Sequence, residues 1–427
     1  MKNKILFIFI LLAFNSTITI SQVQQWSKYV QNPVMVKQNF LTEFYAIGQP
    51  AVIMENDTFK MWYVACGLDH KGRVLYARST NGITWTKYGN GAAVMDVGTV
   101  GAWDDTWLDT PEILHGPGGY FLYFFGDSVT NQQPNPSVST TSALGVATSL
   151  DGIHWTRFAG NPILTKGDTN SWENFWIESP AVLWDSATNQ YMMWYSGVNK
   201  NWLIQTGLAT SPDGLNWTKY PGNPVITHGL AGSYDDMWVA VPSVIKRNNQ
   251  FEMWYNAFNS ISAYDTLYIC YATSPDGINW TKFAGNPLFN TYTAPSDTNI
   301  DKSGPWACDV VYDAKENNYK MWYETKAGFC FATSPVSTGI TNKTLNDNFH
   351  FEIFPNPAND KIVIDIKNFN LSENFDIDIY SIDGRLLFQQ KAVKGKNEID
   401  IHYLSNGIYF LKLNNEKYSE VKPVVKF

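Results

Sequence analysis

One phrase recurs along the 427-residue chain, as Thr80-Asn81-Gly82-Ile83-Thr84-Trp85, Leu150-Asp151-Gly152-Ile153-His154-Trp155, Pro212-Asp213-Gly214-Leu215-Asn216-Trp217 and Pro275-Asp276-Gly277-Ile278-Asn279-Trp280. Each copy follows a strand-like ending (Ala77-Arg78-Ser79, Ala147-Thr148-Ser149, Ala209-Thr210-Ser211, Ala272-Thr273-Ser274), and a fifth ending, Ala332-Thr333-Ser334, lacks the continuation. Self-similarity at roughly sixty to seventy residues marks stacked copies of one supersecondary unit. Five units are expected.

Within a unit the signals keep one order: a Pro-led apolar run, a short polar turn, Met-Trp-Tyr, a loop, Ala-Thr-Ser, Asp-Gly, then Trp-Thr-Lys and Asn-Pro. Asp-Gly and Asn-Gly supply the positive φ of a tight hairpin, and runs such as Tyr191-Met192-Met193-Trp194-Tyr195 are too short and aromatic for amphipathic helices. Four short antiparallel strands per repeat describe a propeller blade. The fifth unit lacks its last strand, while Trp26-Ser27-Lys28-Tyr29-Val30-Gln31-Asn32-Pro33 parallels Trp280-Thr281-Lys282-Phe283-Ala284-Gly285-Asn286-Pro287. The expected fold is all-β: a five-bladed β-propeller closed by an N-terminal strand, leaving no unpaired edge, then a small β-sandwich.

Lys2 and Lys4, the apolar stretch from Ile5 to Phe14, and small or polar residues to about Ser21 read as a secretory signal peptide, too short to span a bilayer. No later stretch reaches transmembrane length. After Pro335 tryptophan vanishes and Lys, Ile and Asn rise. The expected domains are a signal peptide over 1–21, the propeller over 22–338, a linker over 339–348 and a C-terminal domain over 349–427. Alternating segments such as Lys361-Ile362-Val363-Ile364-Asp365-Ile366 argue for a β-sandwich there.

Phe354-Pro355-Asn356-Pro357-Ala358-Asn359-Asp360-Lys361, Ile379-Tyr380-Ser381-Ile382-Asp383-Gly384-Arg385 and Leu404-Ser405-Asn406-Gly407-Ile408-Tyr409-Phe410 together resemble the type A sorting domain of type IX secretion cargo. The resemblance implies that the type IX machinery is a partner, that the tail is usually removed, and that the protein ends up secreted or on the outer cell surface after periplasmic transit. A net charge of −8 with only five arginines gives no basic stripe, which argues against nucleic acid or anionic membranes as partners. Cys66, Cys270, Cys308 and Cys330 form no Cys-x-x-Cys pair and read as buried or bridged strand residues. No cofactor is expected, and no spacing supports a structural calcium.

Function is sought where the repeat breaks. Aligned on the proline opening each inner strand (Pro50, Pro111, Pro180, Pro242, with Cys308 in the fifth), the residues seven places earlier are Glu43, Asp104, Glu173, Asp235 and Asp301. An acid in every unit reads as scaffold. Two places before the proline stand Gly48, Asp109, Glu178, Ala240 and Trp306, so only neighbouring blades two and three carry carboxylates. Asp109 and Glu178 are the candidate catalytic pair, because a glycosidase needs one carboxyl kept protonated and one ionised.

Asp109-Thr110-Pro111 and Glu178-Ser179-Pro180 in a five-bladed chain resemble the glycosidase clan that contains families 43 and 32. The resemblance spans residues 26–335 and implies Glu178 as general acid and Asp109 as the group that orients substrate and tunes that acid. It departs at blade one, where Gly48-Gln49-Pro50 stands in place of the clan's Asp. Glu43, Asp69 and Asp127 are candidates for the missing carboxylate; alternatively Asp109 is itself the base, or the propeller binds glycan without cutting it. Trp107, Trp176, Trp238 and Trp306 are candidate sugar platforms, with His70 and Gln49 as further substrate contacts. An adhesion or structural role ranks behind both readings. A sialidase is disfavoured, since only Arg73 and Arg247 remain for an arginine triad. The expected activity is hydrolysis of a plant or algal polysaccharide or its oligosaccharides.

Overall fold

The computed structural model describes residues 26–128, 142–259, 267–289, 304–336, 350–367, 375–381, 386–393, 395–414 and 419–427. The expected signal peptide, Asp301, Asp383 to Arg385 and the 339–348 linker lie outside these. Among the described residues no helix is long and apolar enough to cross a membrane. The chain divides into two compact units, one over Gln24–Val336 and one that includes Ser337–Phe427.

The first unit repeats one antiparallel meander. Its inner strands are Ala46–Glu55, Trp107–Gly116, Trp176–Asp185, Trp238–Arg247 and Trp306–Asp313, opening blades one to five. They pack in a cycle, each against the next and the fifth against the first. The second strands, Thr58–Cys66, Gly119–Asp127, Gln190–Val198, Gln250–Phe258 and Asn318–Thr325, carry the Met-Trp-Tyr residues. Trp62, Trp194, Trp254 and Trp322 are fully buried among them, supplying most of the large apolar surface between blades. The third strands of blades one to four each pair with a two-residue outer strand from the Trp-Thr-Lys phrase, such as Thr218–Lys219 on Ile204–Ser211. In blade five that place is taken by Ser27 and Lys28, opposite Thr333 and Ala332.

The Asp-Gly phrase forms a capped turn rather than a bare tight hairpin. In blade two Asp151 Oδ1 accepts the N–H groups of Ile153 and His154, so the side chain satisfies donors that the turn leaves over. The Gly152 carbonyl then accepts the indole N–H of Trp62 in the preceding blade, at 2.8 Å. Gly214 takes the Tyr123 hydroxyl and Gly277 the Trp194 indole in the same way. A side chain at Gly152 would meet the Trp62 ring at 2.8 Å, and its φ of 76° already favours glycine.

The scaffold reading of the acids seven places before the proline holds where they are described. Glu43 pairs with Lys87 at 2.7 Å, Asp104 with Arg157 at 2.8 Å, Glu173 with Lys219 and Asp235 with Lys282, each tying a loop to the outer strand of its own blade. The Asn-Pro asparagines lengthen the sheets. Asn161, Asn223 and Asn286 bond both the N–H and the C=O of Val146, Leu208 and Tyr271, and Asn32 does so with Phe331 from the opposite end of the chain. None of the four cysteines is in a disulfide; Cys270, Cys308 and Cys330 are buried and Cys66 is half-buried, so the bridged alternative falls away.

The second unit is a β-sandwich. A three-stranded sheet (His350–Phe354, Lys361–Lys367, Gly395–Asp400) and a four-stranded sheet (Leu386–Lys391, Asp376–Ser381, Gly407–Asn414, Ser419–Lys426) enclose one core built on Ile362, Ile364, Ile377, Ile379, Ile399 and Leu411.

Candidate active site

Every inner strand carries the same irregularity near its start. The ladder slips between Gly48 and Ala51, Asp109 and Glu112, Glu178 and Ala181, Ala240 and Ser243, and Trp306 and Cys308. The residue before the proline position takes a left-handed conformation in all five: Gln49 (φ 55°), Thr110 (43°), Ser179 (52°), Val241 (50°) and Ala307 (35°). In blades one to four the proline has no N–H to give the ladder, and blade five bulges in the same way with Cys308 in its place, so all five strands re-aim the neighbouring side chains. The left-handed residues of all five blades, the four prolines and Cys308 line one cavity on the axis, together with Glu112, Ser243 and Asp309.

The bulges place Asp109 and Glu178 at equivalent points of neighbouring blades. Asp109 Oδ2 accepts the Trp107 indole N–H at 2.9 Å, and Oδ1 accepts the Thr110 N–H at 2.8 Å. Burial raises its pKa, and these two donors oppose the rise. Burial, then the charge of Asp109, raise Glu178 to about 7. Trp176 acts on Glu178 as Trp107 does on Asp109, lowering it, yet its indole N–H is buried and among the described residues meets no acceptor in full hydrogen-bond geometry. Both residues are half-buried.

The three candidates for the missing blade-one carboxylate are engaged or apart. Glu43 is fully buried, its oxygens taken by Lys87, the Gln38 N–H and the Tyr63 hydroxyl. Asp69 is held by Arg73, at 2.8 Å to Nη1, which depresses its pKa to about 2, and its side chain is half exposed. Asp127 lies opposite Trp107 in the blade-two ladder and accepts the Ser128 N–H.

The carboxyl found beside the blade-one bulge is one that the sequence reading missed, Glu324. It stands opposite Trp306 on the second strand of blade five, and its Oε2 accepts the Gln49 N–H at 3.0 Å. A Cβ on Gly48 would fall inside contact distance of that oxygen, so glycine leaves the room Glu324 occupies. Burial, together with the charge of Asp109, pushes Glu324 up to about 8.

The aromatic candidates form a wall over blades three to five. Trp202, also absent from the sequence reading, is 49% exposed, makes an edge contact with Trp176 at 4.9 Å and accepts the Trp238 indole N–H at 2.9 Å. Trp238 makes an edge contact with Trp306 at 6.0 Å. Trp176, Trp238 and Trp306 also rest on a buried cluster that includes Phe175, Val198 and Ile204, so they pack and present a face together. His70 is exposed and stacks on Tyr45, 4.5 Å between ring centres. Below the mouth, Glu112 Oε1 accepts the Val182 N–H, and Asp309 accepts the N–H groups of Val52 and Val310 and the Ser243 hydroxyl. Among the described residues no three His, Cys, Asp or Glu side chains gather as a metal-binding set.

Comparison with known proteins agrees with this geometry at the level of fold. Residues 352–426 match the family described as the secretion system C-terminal sorting domain. The chain is 25% identical to an uncharacterized protein of Mycobacterium tuberculosis (strain CDC 1551 / Oshkosh) over 274 residues, 60% of this chain and 79% of that one. A solved structure described among the glycoside hydrolases of the GH130 family of mannoside phosphorylases, which target β-1,2-mannosidic linkages in Candida mannan, superposes with a TM-score of 0.56 at 18% identity. It covers 73% of this chain and 93% of its own. A thermostable family-43 glycoside hydrolase gives 0.51 at 16% identity, covering 67% and 88%. The first unit therefore has the fold of the propeller glycosidases, and the second is a type IX sorting domain that directs export to the cell surface or beyond.

Proposed function

We propose that the propeller is a glycoside hydrolase in which Glu178 donates the proton to the leaving oxygen and Asp109 keeps that proton in place. The observation that carries this reading is the pair itself: two acids re-aimed by neighbouring bulges, one accepting two N–H donors, the other raised to about 7 beside it. A proton donor with a pKa near the working pH is what general acid catalysis favours. Arg73, at the start of the third strand of blade one, is already bound by Asp69 and Asp96, which favours hydrolysis over phosphate capture at that point. The aromatic wall suits stacking on sugar rings. We read the substrate as a plant or algal polysaccharide or its oligosaccharides, met outside the cell after the chain has lost residues 1–21 and crossed the periplasm.

The test is turnover of aryl glycosides and of plant, algal and mannan glycans by the wild type beside Glu178→Gln. Loss of about 10²- to 10⁴-fold in the variant is expected for a general acid. Gly48 in place of a blade-one carboxylate favours a second reading, a glycan-binding propeller without catalysis. Binding of one of these glycans with no turnover by the wild type would establish it.

A further inference from the structure

We propose that Glu324 is the missing third carboxyl of this site, delivered from blade five into the space that Gly48 leaves open in blade one, and that it accepts the proton of the attacking water. The inference rests on the hydrolase reading above.

Position 324 follows Met-Trp-Tyr, and the ladders put its counterparts in blades one to four at Val64, Phe125, Ser196 and Asn256. Two of them have a structural task. Ser196 Oγ accepts the N–H of the left-handed residue Val241 in the next blade at 2.9 Å, and Asn256 Oδ1 accepts that of Ala307 at 2.8 Å. Glu324 Oε2 does the same for Gln49. A neutral oxygen suffices for that bond in blades three and four, so scaffolding accounts for one oxygen of Glu324 and not for its acidity.

The place it fills has consequences of its own. With Gly48 two residues before the proline, Glu324 comes beside the position where Asp109 and Glu178 stand in the next two blades, within reach of the Asp109 charge and partly open to solvent. A side chain at 48 and the present placement of Glu324 exclude each other, so blade one can do without an acid only because blade five supplies one.

In the step inferred, the glycosidic C–O bond breaks with its electron pair going to the leaving oxygen, which takes the proton from Glu178. Water oxygen bonds to the anomeric carbon, and its proton passes to the Glu324 carboxylate. One water is consumed, and proton exchange with solvent returns both groups to their starting states. The working form holds one proton on Glu178 and none on Glu324. The two groups, at about 7 and about 8, titrate close together, so the working form is one of two singly protonated arrangements that exchange in that range.

The experiment compares the full-length wild type, Glu324→Asn and the double variant Gly48→Asp/Glu324→Asn on whichever glycoside the wild type cleaves, with thermal melting of each. Asparagine keeps an acceptor for the Gln49 N–H, as Asn256 does in blade four, so a scaffold role predicts normal turnover. Expected is a fall of at least about 10²-fold in the single variant with its melting midpoint retained, and partial recovery, about tenfold or more, when Gly48→Asp restores a carboxylate to blade one. Turnover by Glu324→Asn within about threefold of wild type overturns the inference and leaves the hydrolase reading standing. A double variant no more active than the single one overturns it as well. A wild type that cleaves no glycoside overturns both.

Discussion

The indole N–H of Trp322, in blade five, donates to the carbonyl of Gly82, in blade one, at 2.7 Å across 240 positions of sequence. The same bond joins Trp62 to Gly152 and Trp194 to Gly277, so the recurring phrase staples each blade to the one before it. Blade five lacks the phrase, and among the described residues the buried indole N–H of Trp254 meets no acceptor; Trp26 packs edge-on against its ring at 6.2 Å.

That difference gives the first prediction. Trp→Phe at 322 removes a buried hydrogen bond and leaves the Gly82 carbonyl with the Trp85 indole N–H alone, whereas at 254 it removes a donor that meets no acceptor among the described residues. Trp322→Phe is expected to cost about 1 kcal/mol more than Trp254→Phe, the ordinary worth of such a bond. Thermal or urea melting of both variants checks it, and equal losses would refute the staple.

The blades were legible because their phrases repeat, and the acids of the Glu43 series because an acid recurs at that place in every unit. Glu324 lies on a second strand, away from the inner-strand starts where the repeat visibly breaks, and so its departure is hidden beside the recurring Met-Trp-Tyr. The signal was present in Val64, Phe125, Ser196, Asn256 and Glu324, where one acid follows four uncharged residues. Trp202 holds the loop position that His70 holds in blade one, with the same turn and the same left-handed backbone, but the loop sequences around the two share no phrase that would align them. The fivefold bulge was hidden differently: Thr110 and Val241 are β-branched and ordinarily shun the left-handed region, so only tertiary packing holds them there.

The charge of Asp109 raises both Glu178 and Glu324. With one of that pair acting protonated and the other ionised, kcat/KM should rise with pH through about 7 and fall beyond about 8. Asp109→Asn removes the charge that hinders ionisation of both, so both pKa values drop and the whole bell moves to lower pH, besides any loss of rate. A pH profile of the variant whose limbs stay in place would show that Asp109 does not set those protonation states.

Deeper on the axis, burial and the Asp309 charge raise Glu112 well above the usual carboxylate range, and burial raises Asp309 to about 6. Groups whose folded pKa exceeds the unfolded value stabilise fully below the unfolded pKa, near 4, and lose that contribution as pH rises through the folded pKa. The wild type should therefore lose stability as pH rises from about 4 through about 6 and above. Glu112→Gln keeps an oxygen for the Val182 N–H and removes one of the two charges, so its melting midpoint relative to wild type should rise progressively as pH increases across that range. A difference independent of pH would mean that the pair does not titrate there.

Trp202 offers the test of the aromatic wall. Its side chain is half exposed, makes edge contacts with Phe175 and Trp176, and stands above Trp238, whose N–H bonds its carbonyl rather than its ring. Trp202→Ala leaves that backbone bond available and removes only the ring, so the expected effect is on binding: KM for oligosaccharides rises about three- to tenfold, the worth of one aromatic contact, with kcat held. Aryl glycosides too short to reach the wall should be cleaved as by the wild type. An equal loss of kcat on long and short substrates would place Trp202 among the groups that shape the acid pair, and a silent substitution would leave the wall as packing alone.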